Sequence, residues 1–247
     1  MPLLHVFYNT IFTYSSQPTI FTTNYLITIL KKGDSWNPDN YRGIAVGSSL
    51  AKIFSLIILN RLENFIENNS PISPQQIGFK RGHRTSDHIF VLHTIINKII
   101  KIEKSKLFVA FVDFRKAYDK INRRLLLLKL QRAGVKGLLY ENIKSIYETI
   151  SYKIKVTGGY LTPILSSIGL KQGGVLSSLL FNLFIDDMRF IFDSSCDPVT
   201  HFKDPLSHLL YADDLIMMST THTGLSNCLE KLEKYCDMAF GGKYYKN

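Results

Sequence analysis

Asp213 and Asp214 stand side by side between two short apolar runs, Leu209-Leu210-Tyr211 and Leu215-Ile216-Met217-Met218. Runs this short, broken by a polar pair, predict a β-hairpin with its acids at the tip. Adjacent carboxylates repel each other unless a cation or a proton lies between them. A hard divalent ion such as Mg²⁺ takes oxygen ligands, and often uses one or two carboxylates together with substrate phosphates. The stretch therefore reads as part of a metal site for phosphoryl transfer, or as a solvated turn, since aspartate is a common turn residue. A third acid bears on the choice. Leu107-Phe108-Val109-Ala110-Phe111-Val112 is an apolar, β-rich run that ends on Asp113. It predicts a buried strand that delivers a carboxylate at its C-terminal end.

Basic and glycine-rich segments surround these acids in sequence. Lys31, Lys32 and Arg42 flank the turn chemistry of Asn37-Pro38-Asp39-Asn40. They read as a clamp on a triphosphate, where an arginine binds bidentately, or as surface charge. Gln76-Ile77-Gly78-Phe79-Lys80-Arg81-Gly82-His83-Arg84-Thr85 reads as a loop that tracks a nucleic-acid backbone, because glycine permits close approach and Lys/Arg supply charge. Gly169-Leu170-Lys171-Gln172-Gly173-Gly174 is a glycine-rich turn that feeds a helix over 176–192. His83, His88 and His93 lack a zinc-like spacing and read as solvated or packed side chains. Cys196, Cys228 and Cys236 are an odd number without metal spacing, hence free thiols. Cys228 and Cys236 fall on the apolar stripe of the last helix.

The whole chain has 247 residues, 45% hydrophobic and 20% charged, which excludes a disordered chain and allows one large domain or two small ones. A net charge of +10 points to a polyanionic partner, most often nucleic acid. No signal peptide is visible. The apolar stretch 179–192 carries Asp186, Asp187 and Arg189 and is too short to span a bilayer, so no membrane partner is expected.

These residues need elements to place them. Residues 1–24 are aromatic and Thr-rich with little periodicity, and yield no role. Tyr25–Leu30 reads as a strand. Leu50, Ile53, Phe54, Ile57, Ile58, Leu62, Phe65 and Ile66 recur at helical spacing behind a Ser48 or Ser49 cap, with Ser70-Pro71 ending the helix. Thr85 or Ser86 caps the next helix. Residues 122–133 and 137–149 read as helices, and 152–161, with Gly158-Gly159 at its centre, as a hairpin. The core order is strand 107–113, helix 176–192, hairpin strands 209–219, helix 223–238. That βαββα order is one strand short of the split βαβ pattern of ferredoxin-like folds. In such a sheet the first strand lies beside the hairpin, and Asp113 meets Asp213 and Asp214. Three carboxylates above one sheet would make a two-metal site for in-line displacement.

Taken together, the motifs resemble the reverse transcriptase domain of non-LTR (LINE-like) retrotransposons. The stretches that carry the resemblance are Lys32-Gly33-Asp34 with Asn40-Tyr41-Arg42, then Gln76-Ile77-Gly78-Phe79, Phe111 to Asp119, Gly169-Leu170-Lys171-Gln172-Gly173, and Tyr211-Ala212-Asp213-Asp214. The resemblance implies an α+β right-hand polymerase with a ferredoxin-like palm core. It implies fingers over about 25–105, an incomplete palm over about 106–240, a tail over 241–247 and no thumb. It implies RNA-directed DNA polymerase activity, with an RNA template, a DNA primer, dNTPs and two Mg²⁺ ions. Asp113, Asp213 and Asp214 would hold the ions, with the Phe114 carbonyl as a further ligand. Arg42 and Lys31 or Lys32 would neutralise the triphosphate. Tyr118 would be the steric gate under the sugar, Gln172 and Gly173 the floor for nucleotide and template, and Tyr211 a neighbour of the primer end. Asp119, Asp186 and Asp187 are expected to be structural or solvated. A nucleus-associated role is implied by family alone.

The sequence departs from the family in places. Gly43 stands where Pro usually follows the Tyr-Arg pair, and Ser177-Ser178 stands for Ser-Pro. After Cys236 the family pattern is lost. The final palm strand, the lysine proposed as general acid, the primer grip and an endonuclease domain are expected to be missing. A catalytically inactive remnant that at most binds nucleic acid is therefore the alternative reading. A group II intron maturase or an RNA-dependent RNA polymerase is a third. Phe111–Asp119 looks more LINE-like than intron-like, and Ala212 separates the turn from the Gly-Asp-Asp of viral RNA polymerases.

Overall fold

The computed structural model describes residues 2–69, 71–156, 159–200 and 204–241. In chain order the elements are α1 (Pro2–Tyr14), α2 (Thr19–Thr22), β1 (Thr23–Leu30), β2 (Tyr41–Val46), α3 (Ser49–Asn69), α4 (Thr85–Ile96), β3 (Phe108–Asp113), α5 (Arg123–Arg132) and α6 (Gly137–Glu148). There follow β4 (Ser151–Val156), β5 (Gly159–Tyr160), β6 (Ile164–Leu165), α7 (Ser177–Ile185), β7 (His208–Tyr211), β8 (Asp214–Ser219) and α8 (His222–Phe240). They form two compact units, each built from two chain segments: residues 1–71 with 118–180, and 72–117 with 181–247.

In the first unit, β2-β1-β4-β5 is a sheet with β6 also paired to β4. β1 is antiparallel to β2 and parallel to β4. In the same unit α3 buries Phe54, Ile58, Leu62 and Ile66, spaced four apart on one stripe. Each such side chain contributes about 1.5–3 kcal/mol when taken out of water. The N-terminal segment, silent in sequence, supplies Tyr8, Ile11 and Phe21 to this core. Tyr8 and Ile11 of α1 are buried, and the Tyr8 hydroxyl donates to the Leu50 carbonyl at 3.1 Å. The Arg61 guanidinium lies 4.0 Å from the centroid of the Phe12 ring.

In the second unit, the sheet order is β3-β8-β7, all antiparallel. Val112, Leu210 and Leu215 are buried on one face of it. Cys228 and Cys236 are buried on α8, as their place on its stripe implied, and Cys196 is buried too.

Four expectations change. The strand 107–113 is not buried along its length: Val112 alone of β3 is buried, and Phe111 is 72% exposed. The α4 cap is Arg84, not Thr85 or Ser86: the Asp87 carboxylate accepts from the Arg84 backbone N–H at 2.9 Å. The helix expected over 176–192 keeps α-winding only to Ile185, which takes φ −96° and ψ −3°, and continues as a 3-10 helix over Asp186–Phe190. There the Asp186 carboxylate is held from outside the helix by the Ser73 N–H at 2.7 Å. Gln76–Gly78 is not a free loop: Gln76 forms an isolated parallel bridge with Leu210, beside β7. Ser70, the hairpin-centre residue Gly158 and the tail beyond Gly241 lie outside the described residues. Among the described residues no helix is long and apolar enough to cross a membrane.

His208 on β7 is 3% exposed and packs on the Phe192 ring at 4.8 Å. Burial, with His88 nearby, pulls its pKa down to about 4. Because the folded value lies below the unfolded one, the unfolded chain binds the extra proton first as pH falls. Stability is then fully present above about pH 6.5 and is lost as pH falls toward 4, by up to about 3 kcal/mol. Urea midpoints followed over that window should show this slope, and His208→Leu should flatten it.

Candidate active site

The second unit aligns the acids through strand register. β3 pairs with β8 so that Val112 faces Leu215 and Asp113 faces Asp214. β8 pairs with β7 so that Asp214 also faces Tyr211. Directly opposed residues of an antiparallel ladder share a face. Asp113, Asp214 and Tyr211 therefore form one row at the end of the sheet, on the face opposite Val112, Leu215 and Leu210. Asp113 and Asp214 are exposed, and Tyr211 is half-buried. Asp213 shares the two-residue turn with Ala212, whose φ of +57° is left-handed. Phe114, by contrast, turns its ring into the core at 3% exposure, 5.9 Å from Phe240.

Opposed carboxylates destabilise a ladder unless a cation screens them. All the side-chain donors in this row are oxygens, which suits a hard divalent ion that brings waters and substrate phosphates of its own. Among the described residues no three His, Cys, Asp or Glu side chains form a ready-made metal cage. The site is an open row of acids.

A segment that reads as a nucleic-acid loop in sequence is instead built into this turn. Gln76 is 1% exposed. Its Oε1 accepts from the N–H groups of Ala212 at 3.0 Å and Gly78 at 2.9 Å. Its Nε2 donates to the Ala212 carbonyl at 3.1 Å. Ile77 N–H donates to Leu210 O at 3.1 Å, and Leu210 N–H to Gln75 O at 2.9 Å. The His88 Nε2 lies 3.0 Å from both the Gln75 and the Leu210 carbonyls. Only Lys80 to Arg84 remain as the exposed basic part of that segment.

The first unit carries the other candidates. Arg42 is exposed and opposite Ile29. Lys31 extends the same ladder through its N–H to Asn40 O at 2.9 Å, and the two-residue period puts it on the Arg42 side. Lys32 follows, exposed. Gln172 lies along β2, its carbonyl accepting from Ala45 N–H at 2.9 Å. Its Nε2 donates to the Asp119 carboxylate at 2.7 Å. Gly173 follows it beside Ile44 and Ala45. Tyr118 begins a 3-10 turn, and its carbonyl accepts from Leu170 N–H at 2.8 Å. A side chain at Gly169 would meet the Asp119 carbonyl at 2.6 Å, so only glycine permits this approach.

Arg123, which the sequence did not single out, organises that turn. Its guanidinium donates to the carbonyls of Gly169 (2.8 Å), Tyr147 (2.7 Å) and Ile168 (2.8 Å), and to the Ser166 carbonyl and hydroxyl. Burial lowers its pKa. Burial also pulls Lys171 down to about 8, with Arg123 adding to the effect, and pushes Tyr147 up to about 12.

Comparison with known proteins gives this geometry a context. The family model for reverse transcriptase (RNA-dependent DNA polymerase) matches residues 29–240. The chain is 27% identical over 244 residues to a probable RNA-directed DNA polymerase from transposon BS of Drosophila melanogaster, covering 94% of this chain and 26% of that protein. It is 30% identical over 222 residues to the retrovirus-related Pol polyprotein from type-1 retrotransposable element R2 of Popillia japonica, covering 85% of this chain and 30% of that one. The chain thus spans less than a third of the length of these relatives. Among solved structures, apo telomerase from Candida tropicalis is similar with a TM-score of 0.67 at 14% identity, covering 97% of this chain and 47% of the telomerase. That likeness is one of fold.

The row of acids makes a stability prediction that needs no substrate. Without divalent cations, Asp214→Asn should stabilise the chain by about 0.5–1 kcal/mol at low salt, because it removes the charge opposite Asp113. Thermal melts with and without Mg²⁺ should show the parent gaining more from the ion than the variant.

Proposed function

The chain belongs to the reverse transcriptase family, and we propose that it supplies the nucleotidyl-transfer centre of an RNA-directed DNA polymerase. The observation that carries this is the register that sets Asp113 opposite Asp214, with Asp213 in the adjoining turn. In this reading Asp113, Asp213 and Asp214 hold two Mg²⁺ ions, with the Phe114 carbonyl as a further ligand. The ions would lower the pKa of a primer 3′-hydroxyl and offset the charge of the leaving pyrophosphate. The residues do the positioning. Arg42 with Lys31 or Lys32 binds the triphosphate, and the guanidinium fork favours two phosphate oxygens at once. Tyr118 lies under the sugar and excludes a 2′-hydroxyl by size. Gln172, oriented by Asp119, and Gly173 form the floor of the nucleotide site. Tyr211, in the row with Asp214, contacts the primer end. Fingers over about 25–105 and palm over about 106–240 are divisions of function, and each draws on residues of both compact units.

The RNA template has a surface of suitable chemistry in the first unit. Tyr25 pairs with Lys153 and with Val46, and Lys155 pairs with Tyr160, so these side chains share a sheet face with Ile27, Ile29 and Arg42. Tyr25 and Tyr160 are 42% and 55% exposed, with ring centroids 5.0 Å apart. Exposed aromatic rings with cations alongside are what single strands stack on.

Primer extension tests the reading: an RNA template, a DNA primer, dNTPs and Mg²⁺, with Asp213→Asn beside the parent. The parent should extend, and the variant should lose at least about a thousandfold in rate, about 4 kcal/mol of barrier. No extension by folded parent chain would favour the remnant. Separately, Tyr160→Ala should weaken single-stranded RNA binding at least about fivefold in a fluorescence titration while leaving the melting temperature unchanged.

A further inference from the structure

We infer that Gln76 is a positioning residue for the aspartate turn, and that its amide sets how Asp213 and Asp214 are presented to a metal ion. The inference rests on the reading of the acids as a metal site.

Ala212 is a non-glycine residue at φ +57°, a conformation that persists only where its surroundings over-determine it. The two-residue hairpin, closed by the Tyr211–Asp214 pair, itself calls for φ > 0 at its first residue, and one side chain adds the hydrogen bonds that hold Ala212 there. Gln76 satisfies both polar groups of Ala212, accepting from its N–H and donating to its carbonyl. That carbonyl is one half of the peptide joining Ala212 to Asp213, so Gln76 fixes the plane from which Asp213 departs. Only an amide offers an acceptor and a donor at this reach; glutamate has acceptors alone, and methionine neither of comparable strength.

Gln76 is itself held. Its Oε1 also takes the Gly78 N–H, and the Gly78 carbonyl accepts from Asn182 Nδ2 of α7 at 2.7 Å. A Cβ at Gly78 would stand 2.1 Å from Ala212 N, so glycine is what lets the segment lie flat on the turn. The Ile77–Leu210 ladder and the His88 ring fix the segment further along β7. The turn is thus braced from a rigid element through two amide side chains in series, Asn182 and Gln76.

The test uses the full chain with Gln76→Asn, one methylene too short to reach both groups yet still polar, and Gln76→Met as a second variant. The first readout is residue-level hydrogen exchange. The Ala212 amide should exchange about five- to tenfold faster in the variants, while the β3 amides keep their protection. The second is Mn²⁺ binding by electron paramagnetic resonance, with Asp213→Asn as the baseline. The Mn²⁺ dissociation constant should rise about fivefold or more in both variants, well below their melting temperatures. Unchanged Ala212 protection in either folded variant would overturn the inference. So would faster exchange with parental Mn²⁺ affinity, which would leave Gln76 a purely structural residue. A parent chain that binds no Mn²⁺ would instead count against the metal reading of the acids, and the exchange result alone would then decide whether Gln76 holds the turn.

Discussion

Asp113 and Asp214 repel each other across an antiparallel ladder, and burial of the residues beside them keeps the ladder in place. A slip of one residue between β3 and β8 would part the acids and also turn Val112 and Leu215 out of the core. Val112, Leu215 and Met217, which share that face, are all buried, so the slip is disfavoured by more than a charge pair at the surface can repay. The acids are thus held near each other by groups that have no part in chemistry. That arrangement is typical of a site whose local cost is met by the scaffold around it.

The parts of the chain that were legible in sequence are those with a short period. The short apolar runs in 107–113 and 209–219 gave the strands, and apolar residues at helical spacing gave α3 and α8. The pairing of Asp113 with Asp214 followed from element order, through the ferredoxin-like pattern, while the expected convergence of all three acids is not seen among the described residues. What stayed hidden depends on contacts distant in sequence. α1 carries apolar residues on most of its surface, so no stripe announces that Tyr8 and Ile11 are the inner ones. Gln76 sits in a segment too short and irregular to read as a strand, and glycines with lysines and arginines suggested a nucleic-acid loop. Its partner Ala212 is 136 residues away. The only local hint was a Gln and a Gly separated by one residue, which is too common to carry weight alone.

Arg123 shows the same limit in a different form. An arginine in the first turn of a helix is ordinarily a solvated side chain. Here it is 7% exposed and faces carbonyl oxygens from Tyr147 and from the 166–169 segment. A guanidinium has five donors in a planar fork and can satisfy several backbone carbonyls at once, which an ammonium cannot do with the same geometry. The segment that precedes Gln172 is therefore held by a cation from α5 together with backbone hydrogen bonds to Ile150, Ile121 and Tyr118. No pattern of hydrophobicity encodes such a contact.

The division of each compact unit into two chain segments bears on how the protein is made. The first unit takes in residues 1–71 and then nothing until 118, and it is complete only at residue 180. A ribosome releases the chain in order, over many seconds for a length like this. α3 and β1 thus emerge long before α6 and β4, which pack against them, exist. Residues 72–117 follow, and they too await partners from beyond residue 180. Between those points the nascent chain carries apolar surface that only its later segments cover, the kind of surface on which chaperones act.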